Sequence, residues 1–265
     1  MHIITRNFFA LLRSGVLGRQ ETVEPMSAWK WEQAYRLAMV HGVEKETWAG
    51  VTMLSGQFAM RLTDGLHARW EKSALSPASA LDGDTLPPRI AKRLAQMEEA
   101  ADSSKMATLG LLRSMVALSQ SLLTADRWVR RLSALAIHLT SKEALRIDGG
   151  QLAEWAADLH METMAQLEGA LLTTLLGIPR ERLPLRLTLS DRERTQMVEE
   201  VVDTIAATTH QWQFSQGGNI FVHNSSSTAM YRQARHSVRY IKYHPTASIA
   251  SFFSSFVQSL TNIEE

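Results

Sequence analysis

Four cations in the C-terminal part have the spacing of one helical face. Arg232, Arg235, Arg239 and Lys242 follow one another at steps of three, four and three residues, which places them on one side of an α-helix. Residues 204–263 contain no Asp or Glu. Such a face can bind phosphates or another anionic partner. It equally suits a solvated helix surface, or cations paired with acids elsewhere in the chain.

A short glycine-rich motif precedes this face. Gly217, Gly218 and Asn219 lie in a stretch predicted to be a loop, over 213–228. Successive backbone amides in such a loop can contact a phosphate, although a Gly pair more often makes an ordinary turn. With the four cations, these three residues form our candidate phosphate- or partner-binding set.

The acidic and histidine residues do not form a convincing catalytic or metal site. Asp82 and Asp84 are a close Asp-x-Asp pair, but the turn-rich segment around them offers no rigid strand to fix two Mg²⁺ ligands. Asp158 and Glu162 share a helical face while His160 points elsewhere. Walker, dinucleotide-binding and nucleophile-elbow motifs are absent from the sequence. We therefore predict no catalytic residue, no metal ligand and no cofactor.

The composition predicts a helical protein that folds without covalent staples. Of its 265 residues 45% are hydrophobic and none is Cys, which suits a large core in a reducing compartment such as the cytoplasm. The net charge of +1 is low for a nucleic-acid-binding protein. Arg6 and Arg13 interrupt the apolar N-terminus, which favours an amphipathic first helix over a signal peptide, while its basic character is also typical of a transit peptide. No stretch approaches the charge-free length of a membrane span.

Apolar residues recur mainly at helical spacing, which predicts an all-α or nearly all-α array of helices. Caps are predicted at His41-Gly42, where glycine can end a helix, and at Ser190 with Glu193, which form a capping box. Leu183 to Leu189 alternates strictly, but Pro184 restricts it to a short edge strand or an extended linker. We predict helices over 1–17, 27–40, 44–61 with an extension to 72, 89–99, 104–123, 126–139, 151–176 as one bent helix or two, 190–209, 229–243 and 245–260.

These elements are expected to pack as one compact domain. It comprises an N-terminal helical segment (1–72), a loop (73–88) and a helical body (89–265) that ends in the basic helix 229–243 and the amphipathic helix 245–260. A basic helix followed by a Phe-rich one can lie on an anionic membrane. The polar face of the last helix lacks Lys and Arg, so packing against the core is favoured.

Several blocks, taken in order, resemble a bacterial uncharacterised nucleotidyltransferase-like family that is often associated with polysaccharide gene clusters. The blocks are Leu11-Leu12-Arg13, Trp31, Leu37-Ala38 and His41-Gly42-Val43 near the start, then Leu175-Leu-Gly-Ile-Pro179, Leu183-Pro184, Gly217-Gly-Asn219 and Tyr243-His-Pro245. They lie in the helical parts at the two ends of the chain.

This resemblance implies Mg²⁺-dependent nucleotide transfer by paired acids that follow a Gly-Gly or Gly-Ser turn in a small sheet. Here Gln-Leu-Ala-Glu follows Gly149-Gly150, and Asn-Ile-Phe-Val follows Gly217-Gly218. No acidic pair stands in either place. No catalytic residue is therefore carried over from the family.

Three functions remain as hypotheses. The first is a non-catalytic binding or regulatory protein that pairs with a protein partner or with a second copy of itself. The second is a divergent nucleotidyltransferase or nucleotide binder, in which the C-terminal cations hold the phosphates of a Mg-nucleotide. The third is a peripheral membrane protein anchored by the last two helices.

Overall fold

The computed structural model describes residues 1–76, 86–124 and 127–215, with side chains up to residue 203. The seven candidate phosphate- or partner-binding residues lie outside this range: Gly217, Gly218, Asn219, Arg232, Arg235, Arg239 and Lys242. The Asp82 and Asp84 pair, Asp126 and the two predicted C-terminal helices also lie outside it.

Within the described residues the chain forms ten α-helices and two 3-10 turns, and no β-strand, so the all-α prediction is confirmed. The helices are α1 (Ile3–Leu17), α2 (Ala28–His41), α3 (Glu44–Leu54), α4 (Asp64–Leu75), α5 (Pro88–Ala100), α6 (Met106–Thr124), α7 (Trp128–Thr140), α8 (Gly149–Asp158), α9 (Glu162–Leu175) and α10 (Asp191–Ser215). The 3-10 turns cover Glu143–Arg146 and Arg180–Arg182.

Both predicted caps are confirmed. Gly42 ends α2 in the left-handed conformation, with φ at 64°. The Ser190 amide donates to Glu193 Oε2 at 2.9 Å, and the Glu193 amide donates to Ser190 Oγ at 3.3 Å. These reciprocal bonds fix where α10 begins, because they satisfy backbone donors that a helix start leaves free.

Three predicted helix boundaries were wrong or open. The helix predicted over 44–61 with an extension to 72 is two helices, α3 and α4, and Thr63 starts the second by accepting the Leu66 amide at 3.4 Å. The stretch 151–176 is also two helices, separated at His160, whose φ of 54° breaks the helical path. Helix α10 continues beyond residue 209 to Ser215, into the predicted loop.

The centre of the fold is α1, which packs most extensively against α3. An ideal Cβ on Gly50 would lie 2.0 Å from the Leu11 carbonyl oxygen, and one on Gly15 would lie 1.7 Å from the Glu46 carbonyl oxygen. Only glycine fits at these two positions, so the helix backbones themselves are in contact. The buried side chains Phe8, Leu11 and Leu12 of α1 complete this contact.

Two arginine side chains, one from α1 and one from the segment that follows it, contact the end of α9. Arg13 Nη1 donates to the Leu175 carbonyl at 3.0 Å, and Arg19 Nη1 donates to the Gly177 carbonyl at 2.8 Å. Cations are favoured at a helix C-terminus because its last carbonyls lack intrahelical partners. Two sequence blocks that lie far apart in the chain therefore meet where α9 ends.

Helix α6 is the one described helix with the length and apolar composition of a membrane span, and 67% of that stretch is buried inside the protein. It packs against α7, α8 and α9. Burial in this core accounts for its apolar character, and it brings α6 next to the groove described below.

Candidate binding groove

Residues 183–189, here called the strap, run between the second 3-10 turn and α10, with a bend at Pro184 and Leu185 and alternately half-buried and exposed residues from Leu185 to Leu189. The strap forms no β-strand, so the edge-strand alternative is wrong and the segment is a linker that bends at Pro184 and Leu185. Pro184 disfavours helix at this point, and an extended chain sends alternate side chains to the same side. Leu183, Leu185 and Leu189 are accordingly half-buried against the core.

One side chain of α9 holds the strap backbone. Gln166 Nε2 donates to the Arg186 carbonyl at 2.9 Å, and the Thr188 amide donates to Gln166 Oε1 at 2.8 Å. These two backbone groups flank Leu187 and face the same way, as they do when a neighbouring strand pairs with an extended chain. The Gln166 side chain thus makes the two hydrogen bonds that the backbone of a neighbouring β-strand would make.

Two glycines, one on α9 and one on α8, let the strap pack closely against these helices. An ideal Cβ on Gly169 of α9 would lie 2.5 Å from Leu187 Cδ2, and one on Gly149 of α8 would lie 2.5 Å from the Pro184 carbonyl oxygen. Gly149 begins α8, which Asp148 caps by accepting the Gly150 and Gln151 amides. The glycine pair Gly149-Gly150 is therefore a helix start beneath the strap.

A cavity of about 30 Å³ remains between the strap and helices α6, α7 and α9. This volume accommodates roughly one or two water molecules. Eleven of the twelve lining residues carry no polar side chain, and the twelfth is Glu168. The lining residues are Leu111, Met115, Leu135, Leu139, Ala165, Glu168, Gly169, Leu172, Leu183, Pro184, Leu185 and Leu187.

Glu168 is a buried carboxyl with one hydrogen-bond partner among the described residues. The residue is 1% exposed, and its Oε1 accepts a 2.7 Å hydrogen bond from Ser119 Oγ of α6. Its Oε2 has no hydrogen-bond partner among the described residues. Burial raises the pKa of Glu168 well above its ordinary value, against a smaller opposing effect of the Ser119 bond. The low-polarity surroundings therefore favour the protonated, neutral acid.

A second cleft, of about 600 Å³, lies where α2 and α4 end and where α3 and α7 begin. Its charged residues are Glu44, Lys45, Glu46, Arg127 and Arg130. Burial, and then the neighbouring Glu46, raises the pKa of Glu44, while the two arginines oppose that rise. Charges of both signs are mixed along this cleft, so it lacks the one-sided potential that concentrates an anionic ligand.

His41, close to that cleft, is a core residue. Its ring lies 5.8 Å from that of Trp128 and 6.4 Å from that of Phe8. Burial lowers the pKa of His41 to about 4. Neither ring nitrogen has a hydrogen-bond partner among the described residues, so this neutral imidazole packs as an aromatic side chain.

The structure does not bring the Asp158, His160 and Glu162 group together as a site. Asp158 pairs with Arg93 of α5 at 3.1 Å, while His160 occupies the break between two helices and Glu162 begins α9. In the part of the chain that the structure describes, no group of three His, Asp or Glu side chains is arranged to hold a metal ion.

Glu168, Ser119 and Gln166 are not among the site residues predicted from the sequence. A signal for Glu168 was available, because it lies four residues after Met164 and three before Leu171, a spacing that puts it on the same helical face as these two apolar residues. A carboxyl on the apolar face of a helix must be neutralised or paired. No such signal marked Gln166, whose half-exposed amide is ordinary for a helix surface.

Comparison with protein-family models, curated proteins and solved structures gives no match for this chain. The resemblance to the nucleotidyltransferase-like family therefore stays a prediction. The candidate binding site is the groove that α6, α7, α8 and α9 form beneath the strap.

Proposed function

We propose that this chain is a non-catalytic binding or regulatory protein, related to the helical parts of the nucleotidyltransferase-like family. Its binding surface is the groove beneath the strap. The observation that carries the proposal is the way the groove is closed: an extended segment covers it, and one glutamine side chain holds that segment's backbone. A site closed in this way opens at small cost compared with a packed helix interface.

The chemistry of the groove favours binding over group transfer. Phosphoryl and nucleotidyl transfer need charged carboxylates that hold Mg²⁺ against the phosphates. Glu168 is a single carboxyl among apolar neighbours, and burial favours its neutral form. Such an environment accepts apolar groups and one hydrogen bond.

The strap can leave the groove without unfolding its neighbours, because both of its ends are anchored independently. On one side Arg19 holds the Gly177 carbonyl, and the Ile178 amide donates to the Leu172 carbonyl at 3.1 Å. On the other side Ser190 and Glu193 form the capping box of α10. Between these anchors the strap is held by its hydrogen bonds to Gln166 and by its half-buried leucines, so opening breaks those contacts and leaves both anchors in place.

The contact between Arg13 and Leu175 supports the proposed family relationship. It joins the block Leu11-Leu12-Arg13 to the block that begins at Leu175. Because these two blocks contact each other in the folded protein, a family with the same fold would be expected to contain both. The alternatives of nucleotide binding and membrane association depend on residues outside the described range.

Two measurements test the proposed function. The pure protein, incubated with Mg²⁺ and ATP, CTP or GTP, is expected to transfer no nucleotide; Mg²⁺-dependent transfer that a point change abolishes would contradict the proposal. The double substitution Leu185→Ser and Leu187→Ser should loosen the strap and increase the fluorescence of the apolar dye 1-anilinonaphthalene-8-sulfonate. An unchanged dye signal in the folded variant would mean that no openable groove exists.

A further inference from the structure

We infer that the partner accepted by this groove is an extended polypeptide segment with apolar side chains at alternate positions. This inference rests on the proposed function and names its ligand class. The strap supplies the template, since it is itself such a segment seated in the groove.

The side-chain amide of Gln166, here called the clamp, is suited to bind a polypeptide backbone. It offers one donor and one acceptor from the same amide, and it uses them on a carbonyl and an amide that flank a single residue, Leu187. Any extended peptide presents that pair of groups whatever its side chains are. Peptide recognition by addition of an extended segment uses main-chain hydrogen bonds for affinity and side-chain pockets for specificity.

The floor of the groove selects side chains of the leucine type at alternate positions. Gly169 leaves just enough space for Leu187, and Gly149 lets the main chain pass at Pro184. The walls come from apolar side chains of α6, α7 and α9, among them Leu111, Met115 and Leu139. A charged side chain in the place of Leu187 would be half-buried against apolar side chains, which is unfavourable.

The strap does not fill the groove completely. A partner could therefore make packing contacts that the strap does not make. The strap leaves a cavity of about 30 Å³ between itself and the helices, and Glu168 Oε2 has no hydrogen-bond partner among the described residues. An external segment that fills the cavity would gain contacts that the strap lacks. The strap nevertheless lowers the apparent affinity of any partner, because only molecules with an open groove can bind.

The experiment uses the full-length protein and a labelled peptide. The probe is a fluorescein-tagged peptide with the sequence of residues 182–190, and fluorescence anisotropy measures its binding to the wild type and to the Leu185→Ser and Leu187→Ser double variant. The matched control peptide carries serine at the two positions that correspond to Leu185 and Leu187. Circular dichroism and thermal melting establish that the variant is folded.

We expect the double variant to bind the probe at least about tenfold more tightly than the wild type, since its own strap competes less. The control peptide should bind about tenfold more weakly or worse. Adding Gln166→Ala to the double variant should weaken probe binding by about tenfold, which corresponds to the loss of two backbone hydrogen bonds.

Three outcomes would overturn the inference. One is equal binding of the two peptides, and another is no binding of the probe to a folded double variant whose dye signal shows an open groove. That second outcome removes the peptide ligand while leaving the proposed function intact. The third is a wild-type dimer that the double substitution dissociates, since it would mean that the groove serves a second copy through exchanged straps.

Discussion

Ser119 and Glu168, 49 residues apart, meet in the core through a 2.7 Å hydrogen bond from the Ser119 hydroxyl to Glu168 Oε1. The bond ties α6 to α9 at the floor of the groove. It satisfies one carboxyl oxygen and leaves the other without a partner among the described residues. A buried polar atom in that condition costs about 1–3 kcal/mol, so stability alone gives no reason for a carboxyl at this place.

Replacing that carboxyl by an amide should stabilise the protein at high pH. Burial raises the folded-state pKa of Glu168 above the ordinary 4.5, so its stabilising contribution is complete below pH 4.5 and is lost as the pH rises through the folded value. Glu168→Gln keeps an acceptor for Ser119 and removes the titration. Urea unfolding measures the free energy of unfolding at pH 5 and at pH 8. This free energy should fall less between pH 5 and pH 8 in the variant than in the wild type.

The control for this prediction is Glu199→Gln, which removes an exposed carboxyl from α10. In this control variant the free energy of unfolding should change between pH 5 and pH 8 by as much as it does in the wild type. If Glu168→Gln behaves like this control, Glu168 is ionised in the folded protein and the apolar description of the groove is wrong.

Removing the clamp should expose the strap to proteolysis. Gln166→Ala deletes two hydrogen bonds to the strap backbone, which together are worth about 1–2 kcal/mol, or roughly a tenfold change in the open population. Trypsin should then cleave after Arg186 about tenfold faster in native conditions. Gln196→Ala on the exposed face of α10 serves as the control, and equal cleavage rates in the two variants would contradict the clamp.

Buried His41 should make the fold sensitive to acid. Burial lowers its pKa from 6.5 to about 4, so between these values the unfolded chain binds the proton and the folded one does not. Stability is therefore lost as the pH falls through this window, by about 3 kcal/mol in total. His41→Phe should reduce the loss seen in urea unfolding between pH 7 and pH 4.5, whereas His67→Gln, at an exposed site, should not.

The contact between α1 and α3 should not tolerate a single methyl group. Gly50→Ala places a Cβ 2.0 Å from the Leu11 carbonyl and should destabilise the protein by about 1–3 kcal/mol or more. Gly110→Ala is the matched control, because that glycine is also helical and meets no atom within 4 Å. It should stabilise by about 0.5–1 kcal/mol through its helix propensity. Thermal melts of the two variants should therefore shift in opposite directions.

The junction between the two sequence blocks should contribute measurably to stability. Arg13→Ala removes a hydrogen bond to the Leu175 carbonyl and the 2.8 Å ion pair with Glu21, and should cost about 1–2 kcal/mol. Arg6→Ala, which breaks the more exposed ion pair with Glu24, should cost less. Urea unfolding of both variants measures the difference, and a larger loss from Arg6→Ala would contradict the role given to the junction.

The sequence by itself determined most of the helical architecture. The helical spacing of apolar residues predicted a helix over 27–40, which is α2, and Gly42 ended that helix as expected. Ser190 and Glu193 likewise marked the start of α10. These features are local, because periodicity and capping depend on residues a few positions apart.

Only the tertiary structure decided the candidate site. The alternation of Leu183 to Leu189 predicted an extended chain, but not that Gln166 would hold it or that Gly149 and Gly169 would make room for it. Ser119 and Glu168 are ordinary residues of two separate helices until those helices pack together. Such contacts depend on how helices cross and on which side chains burial leaves without water, and a local sequence pattern records neither.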